Sequence, residues 1–178
     1  VGLGNPGDDY EETRHNAGFR VVERFAAEEG IRIRSRECSS RVGRGRVGEE
    51  MVLLAFPQTF MNASGEAVRA LCQKHSVDPS ELCVVVDDID LSLGILRLRA
   101  RGTAGGQKEL RSVISHLGTT DFTRLRVGIR CERHSRQRDL AADALQPSAR
   151  HARDPPQDRP GRAVAAAGLW WTHGASPP

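Results

Sequence analysis

No apolar run in these 178 residues approaches the roughly 18 to 20 that a membrane-spanning helix needs. No signal peptide is visible either. The four cysteines, Cys38, Cys72, Cys83 and Cys131, share no CxxC spacing, so no paired-thiol motif is indicated. Cys72 and Cys83 sit in apolar contexts and read as small core hydrophobes, and a reduced, cytoplasmic compartment is the expected setting. Net charge is modest, +3 with a pI of about 8.9, which permits a nucleic-acid partner without requiring one. The first residue is Val rather than Met, and Val1-Gly2-Leu3 reads as the end of a strand whose beginning is absent. Organellar targeting therefore stays open at this stage.

Periodicity predicts alternating elements. Residues 16–29 suit a helix with Val21, Val22, Phe25 and Ala26 on one face and Gly30 as its stop. Residues 31–34 alternate like a half-buried strand. Residues 41–47 and 51–56 read as a strand pair around Gly48-Glu49-Glu50. Asn62 opens a second helix, and Asp78-Pro79-Ser80-Glu81 carries capping chemistry. The unbroken apolar run 82–86 suits a central strand buried on both faces. Residues 95–100 alternate again, 105–117 suit a third helix, and 124–129 a last strand. This mixture predicts an α/β protein: a single-domain, three-layer α/β/α sandwich around a mixed, largely parallel sheet.

From residue 130 the apolar periodicity stops. Six of the nine prolines, Pro147, Pro155, Pro156, Pro160, Pro177 and Pro178, fall in this tail. The expected division is a catalytic unit at 1–129 and an Arg/Pro/Ala-rich tail at 130–178, loosely attached or disordered by composition.

The chemistry gathers elsewhere. Gly2-Leu3-Gly4-Asn5-Pro6-Gly7 formally matches GxGxxG. A dinucleotide site also needs a helix opening inside the motif and an acid at a second strand end about 20 residues on. Here Pro6 and Gly7 interrupt the helix start, and Glu23 and Glu28 fall within a helix. The plainer reading is a tight turn off a strand, made of glycine for close backbone approach or positive φ. It places the Asn5 amide at the strand's C-terminal edge, where ligands of α/β sheets collect.

His15 directly precedes the first helix and is a candidate general base. It needs an orienting carboxylate, and Asp87, at the end of the buried strand, is the best placed. Asp88 should point away by strand alternation, and Asp90 is expected in the loop. Asn62 suits an N-cap and equally a substrate-gripping amide. Arg97, Arg99 and Arg101 share one strand face, and Arg124 and Arg126 form a second pair. With the loop Gly102-Thr103-Ala104-Gly105-Gly106, either set could hold phosphate or simply be a solvated face.

Taken together, GLGNPG-x-x-Y-x-x-TRHN-x-G, the Thr59–Gly65 block around Phe60-Met61-Asn62, and the block opening Asp87-Asp88-Ile89-Asp90 resemble the bacterial-type peptidyl-tRNA hydrolase family over residues 1–129. The resemblance implies hydrolysis of the ester between a peptide and the tRNA 3′ ribose, by a monomer that needs no metal or other cofactor and no membrane. It implies His15 as general base and Asp87 as its partner. Asn5 and Asn62 would position substrate and water, with Tyr10 and Met61 lining the cleft. Arg99 and Arg126 fall where that family places cations for tRNA phosphate.

Three departures accompany it. The family's GGHNG is replaced by Gly105-Gly106-Gln107-Lys108-Glu109. Gln107 can stand in as a hydrogen-bonding substrate contact, Lys108 replaces an Asn expected to hold substrate, and Glu109 replaces a Gly and adds negative charge. Weakened activity is the expectation. The tail departs after residue 129, as a frameshift or alternative exon would, and the helices that would cover the sheet are expected to be lost with it. The first strand lacks its start. The competing readings are an RNA-binding relative with reduced catalysis, a nucleotide-binding α/β protein, and a non-functional truncated product.

Overall fold

A computed structural model describes residues 1–11 and 13–130 of the chain. Helix α1 spans Asp8–Glu11, and a 3-10 turn at Arg14–Asn16 leads into α2, Ala17–Glu28. Strands β1 (Ser35–Glu37), β2 (Ser40–Val47) and β3 (Glu50–Pro57) follow. A 3-10 turn at Met61–Ala63 precedes α3, Ser64–His75. After β4 (Cys83–Ser92) and β5 (Leu96–Arg99) come α4, Lys108–Leu117, and β6, Thr123–Arg130. No helix among the described residues is long and apolar enough to cross a membrane.

Two three-stranded sheets, ordered β1-β2-β3 and β4-β6-β5, are stitched together by residues 1–3. The Gly2 amide donates to the Ala55 carbonyl of β3 (3.0 Å), and Leu3 and Val85 exchange backbone bonds with this segment on the β4 side (Leu3 N to Val85 O, 2.9 Å; Val85 N to Val1 O, 2.8 Å). The short apolar segment thus works as a central strand, parallel to β4.

Alternation along β4 sets the layers. Val85 packs with Ala17, Val22 and Ala26 of α2 on one face. Val84 and Val86 pack with Val68 of α3 and Leu110 and Val113 of α4 on the other. A strand clothed by helices on both faces must be apolar throughout, which is why 82–86 shows no polar alternation. The α/β/α layering agrees with the reading from sequence.

The balance of strand directions needs correction. Among the described residues, parallel pairing is confined to the middle, β4 with β6 and residues 1–3 with β4. The pairs β1·β2, β2·β3 and β5·β6 are antiparallel. The turn between Val47 and Glu50 is too short for a parallel crossover, so a hairpin is the sole outcome there.

Residues 31–34 lie outside the sheet, against expectation. Their alternation comes from inward packing: a Cβ on Gly45 would strike Ile31, and one on Gly43 would strike Ile33. Beyond Val86 the strand also runs on, so Asp87 and Asp88 sit within β4 and not past its end, and Asp90, expected in a loop, is part of the strand as well. The expected change of character at residue 130 and the loss of covering helices concern residues beyond the described ones, apart from Arg130, which closes β6.

Candidate active site

The glycine-rich start is built for contact. A Cβ on Gly2 would meet the Gly18 carbonyl oxygen at 2.3 Å, and one on Gly18 would meet Leu3 O at 2.3 Å and Val85 O at 2.5 Å. Such distances are impossible for a side chain, so α2 is seated directly on the central strands only because glycine stands on both sides. This seating carries the residues just ahead of α2 to the edge of the regular parallel pairing of β4 with β6, which breaks after Asp88. The plain reading of GxGxxG, close backbone approach, is the correct one, and no helix opens inside the motif.

At that edge His15 Nδ1 lies 3.0 Å from Asp87 Oδ2. The imidazole is 61% exposed and the carboxylate 8%. With Nδ1–H donating to the carboxylate, Nε2 turns its lone pair outward to the cleft. Burial pushes the Asp87 carboxyl above its ordinary value, against the opposing pull of its bond to His15; the negative charge of Glu109 adds to the rise. An imidazole held by a buried acid, one nitrogen fixed and the other presented, can take a proton from water.

Asn16 is the residue that motif reading passed over as a site component. Its buried side chain accepts from the Asn5 backbone N–H (2.7 Å) and donates to the Asn5 carbonyl (2.9 Å). This two-point clamp fixes the Asn5 backbone beside His15. Gly4 makes room for it, since a Cβ there would lie 2.7 Å from Asn16 Oδ1. A polar residue immediately before an apolar helix face was the available signal, and an N-cap was the obvious explanation for it. Asn16 makes no such cap bond.

The other predicted residues divide. Gln107 Nε2 donates to the Asp87 backbone carbonyl at 2.7 Å and so ties the start of α4 to β4. Lys108 and Asn62 are exposed, Asn62 within the 3-10 turn that packs against α4. Tyr10, in α1, is half-exposed, and its backbone carbonyl accepts from both Thr13 N and Thr13 Oγ1. Phe60, just before that turn, is 68% exposed.

The arginines do not form a common site. Arg124 is 2% exposed, and its guanidinium donates to the carbonyls of Gly102, Thr103, Thr120 and Phe122 while stacking 4.3 Å from the Phe122 ring. It is a buried clamp on the loop before α4, neither phosphate ligand nor solvated face. Arg126 is ion-paired through Nε to Oδ2 of Asp88 at 2.6 Å, on the α4 face of the sheet, opposite His15. Arg97 and Arg99 face solvent from edge strand β5, in register with Arg126 and Arg124.

Fold and site define a class: an α/β protein with a histidine–carboxylate pair and amide side chains where the regular parallel pairing of a mixed sheet breaks. The comparisons agree. The family profile described as Peptidyl-tRNA hydrolase matches residues 1–176. The peptidyl-tRNA hydrolase of Desulforudis audaxviator is 51% identical over 129 residues, covering 72% of this chain and 66% of that one. That of Chloroflexus aurantiacus is 50% identical over 130 residues, covering 72% and 69%. The crystal structure of peptidyl-tRNA hydrolase from Acinetobacter baumannii superposes with a TM-score of 0.71 at 36% identity, over 82% of this chain and 74% of that one. The chain thus spans about two thirds of the length of these curated relatives. It belongs to the bacterial-type peptidyl-tRNA hydrolase family.

Proposed function

We propose that the chain hydrolyses the ester joining a peptide to the 3′ ribose of tRNA. The carrying observation is the His15–Asp87 pair, with one imidazole nitrogen held and the other presented. His15 Nε2 takes a proton from water as the oxygen attacks the acyl carbon. Asp87 steadies the imidazolium that forms. The amides of Asn62 and Asn5 donate to the developing oxyanion. The bond from acyl carbon to ribose oxygen then breaks, and the proton passes from His15 to the leaving hydroxyl. The products are a free peptide acid and a tRNA ready for recharging. Tyr10 lines the acyl side, and Gln107 and Lys108 flank it at the start of α4; Met61 is assigned there by the resemblance, and its side chain lies outside the described ones.

Arg99 and the terminal nitrogens of Arg126 supply cations for tRNA phosphate in this reading. It also takes the protein as a cytoplasmic monomer whose working part is residues 1–129. The 129 and 130 residues over which the relatives align favour that extent, whereas the family profile runs on to residue 176.

The test is release of the acyl group from purified N-acetyl-aminoacyl-tRNA, comparing the chain with His15→Ala. A loss of about 10²-fold or more in kcat/KM is expected, the usual contribution of a positioned base. Equal rates in both proteins would overturn the assignment of His15. Binding of tRNA with no release in either would favour the RNA-binding reading, to which Lys108 and Glu109 lend support.

A further inference from the structure

Glu109 places a carboxylate at the start of α4 that the steps proposed above do not use. It is the second residue of α4, and the helix phase decides where it faces. Ser112 and His116 lie against α3: Ser112 Oγ accepts from Gly65 N at 3.1 Å, and a Cβ on Gly65 would meet His116 Nδ1 at 2.7 Å. Glu109, three residues before Ser112, shares that side one turn nearer the helix start. There the neighbour is no longer α3 but the Met61–Ala63 turn that carries Asn62, packed against α4. Two residues earlier, Gln107 is bonded to Asp87, and the Glu109 charge is felt by the Asp87 carboxyl, so Glu109 stands near the cleft. It is half-buried, whereas Lys108 beside it projects to solvent.

The surroundings of α4 also separate two ends of a substrate. The loop before the helix rests on Arg124 and Arg126, through the Arg124 bonds to Gly102 and Thr103 and the closeness of Gly105 to the Arg126 guanidinium. Cations therefore lie on the β6 and β5 side. By helix phase Glu109 is turned the other way, toward the Met61–Ala63 turn that follows exposed Phe60, a surface suited to an acyl group and not to phosphate. A half-buried carboxylate acts at higher effective strength than the solvated Lys108 ammonium beside it.

We propose that Glu109 is a specificity-determining residue that makes the cleft prefer peptidyl-tRNA whose esterified residue carries a basic side chain over one whose esterified residue carries an acidic side chain. The proposal rests on the hydrolase reading above.

The experiment uses one tRNA body acylated in turn with N-acetyl-lysine, N-acetyl-methionine and N-acetyl-glutamate, so that only the acyl charge changes. In the intact chain kcat/KM should fall in the order Lys, Met, Glu, with roughly three- to tenfold between the extremes at low salt. In Glu109→Gln the Lys-to-Glu ratio should drop toward one, and in Glu109→Lys it should invert. Raising salt should shrink the ratio in the intact chain. A ratio that is the same in the intact chain and in both variants, with the methionine substrate still cleaved, overturns the role of Glu109 alone. If the intact chain fails even on the methionine substrate, the hydrolase reading falls and this inference falls with it.

Discussion

Two adjacent acids on β4 meet an exposed histidine on one face of the strand and a packed ion pair on the other. Asp87 points to the α2 side, 3.0 Å from an imidazole that is mostly in solvent. Asp88 points to the α4 side, 1% exposed and ion-paired to Arg126 at 2.6 Å. The two side chains are chemically identical and one residue apart. They differ in what the sheet puts opposite them: an open cleft edge for one, a packed layer for the other. The first carboxylate is held at a cost to the fold. The second is neutralised within it.

The sharpest way to break this comparison is to remove the charge on the chemical face. Asp87→Asn should lower kcat by about 10²-fold or more, because the imidazolium loses its counter-charge and the imidazole its fixed tautomer. Stability should move the other way. Burial raises the folded-state value of Asp87, so the fold favours the protonated acid. The stability this group contributes is present below its unfolded value, near 3.9, and is lost as pH rises through its folded value. Asn imitates the protonated form. Asp87→Asn should therefore melt higher than the parent chain at pH 7, and the two should converge near pH 3. A lower melting temperature at pH 7 would show that the bond to His15 outweighs burial.

The matching change on the structural face should invert that pattern. Asp88→Ala leaves the half-buried Arg126 in the α4 layer without its partner, and an unmet polar group there should cost about 1 to 3 kcal/mol. Urea unfolding should show the loss as a lower midpoint with an unchanged slope. Any folded fraction should keep the His15-dependent rate within a few-fold. A fall in rate comparable to that of Asp87→Asn, in protein that remains folded, would erase the distinction between the two faces.

Much of this division was legible in sequence, for a reason specific to β4. Alternation on a strand is strict, so once Asp87 is assigned to the cleft Asp88 must face away. The His15–Asp87 pairing was legible because both residues sit next to strong apolar patterns that fix their elements. Residues 31–34 misled because inward-facing isoleucines alternate whether or not their backbone is paired. Arg124 misled because a periodic cation on a strand looks the same before folding whether its head meets water or four carbonyls. Asn16 was hidden by its position ahead of a helix, where an Asn needs no further explanation. Pairings between distant backbone and side-chain groups leave no periodic trace.

Asn16 also offers a finer test of the chemical face. Asn16→Ala removes both bonds to the Asn5 backbone, one donated and one accepted, in a buried site. Leaving those groups unmet should cost about 1 to 3 kcal/mol of stability. Asn16→Asp keeps the acceptor for Asn5 N–H but sets a second acceptor against the Asn5 carbonyl, so it should not rescue. If the clamp serves catalysis, kcat should fall about tenfold in Asn16→Ala while tRNA binding holds. A change in stability alone would make the clamp purely structural.

The smallest expected effect concerns the arginines, where the contrast between working and structural charge recurs along β5 and β6. Arg99 projects to solvent from the edge strand, whereas Arg124, opposite it in register, is consumed by carbonyls. Only the first is available to a phosphate. Each phosphate contact releases counterions, so the dependence of log affinity on log salt should lose about one unit of slope in Arg99→Gln. Affinity for tRNA should weaken alike for every acyl group, because a phosphate contact carries no information about the peptide. Arg124→Gln should instead lower stability and leave the salt slope of the folded protein where it was. An unchanged slope in Arg99→Gln would move the tRNA path off β5 and leave the terminal nitrogens of Arg126 to carry that contact from beside the α4 loop.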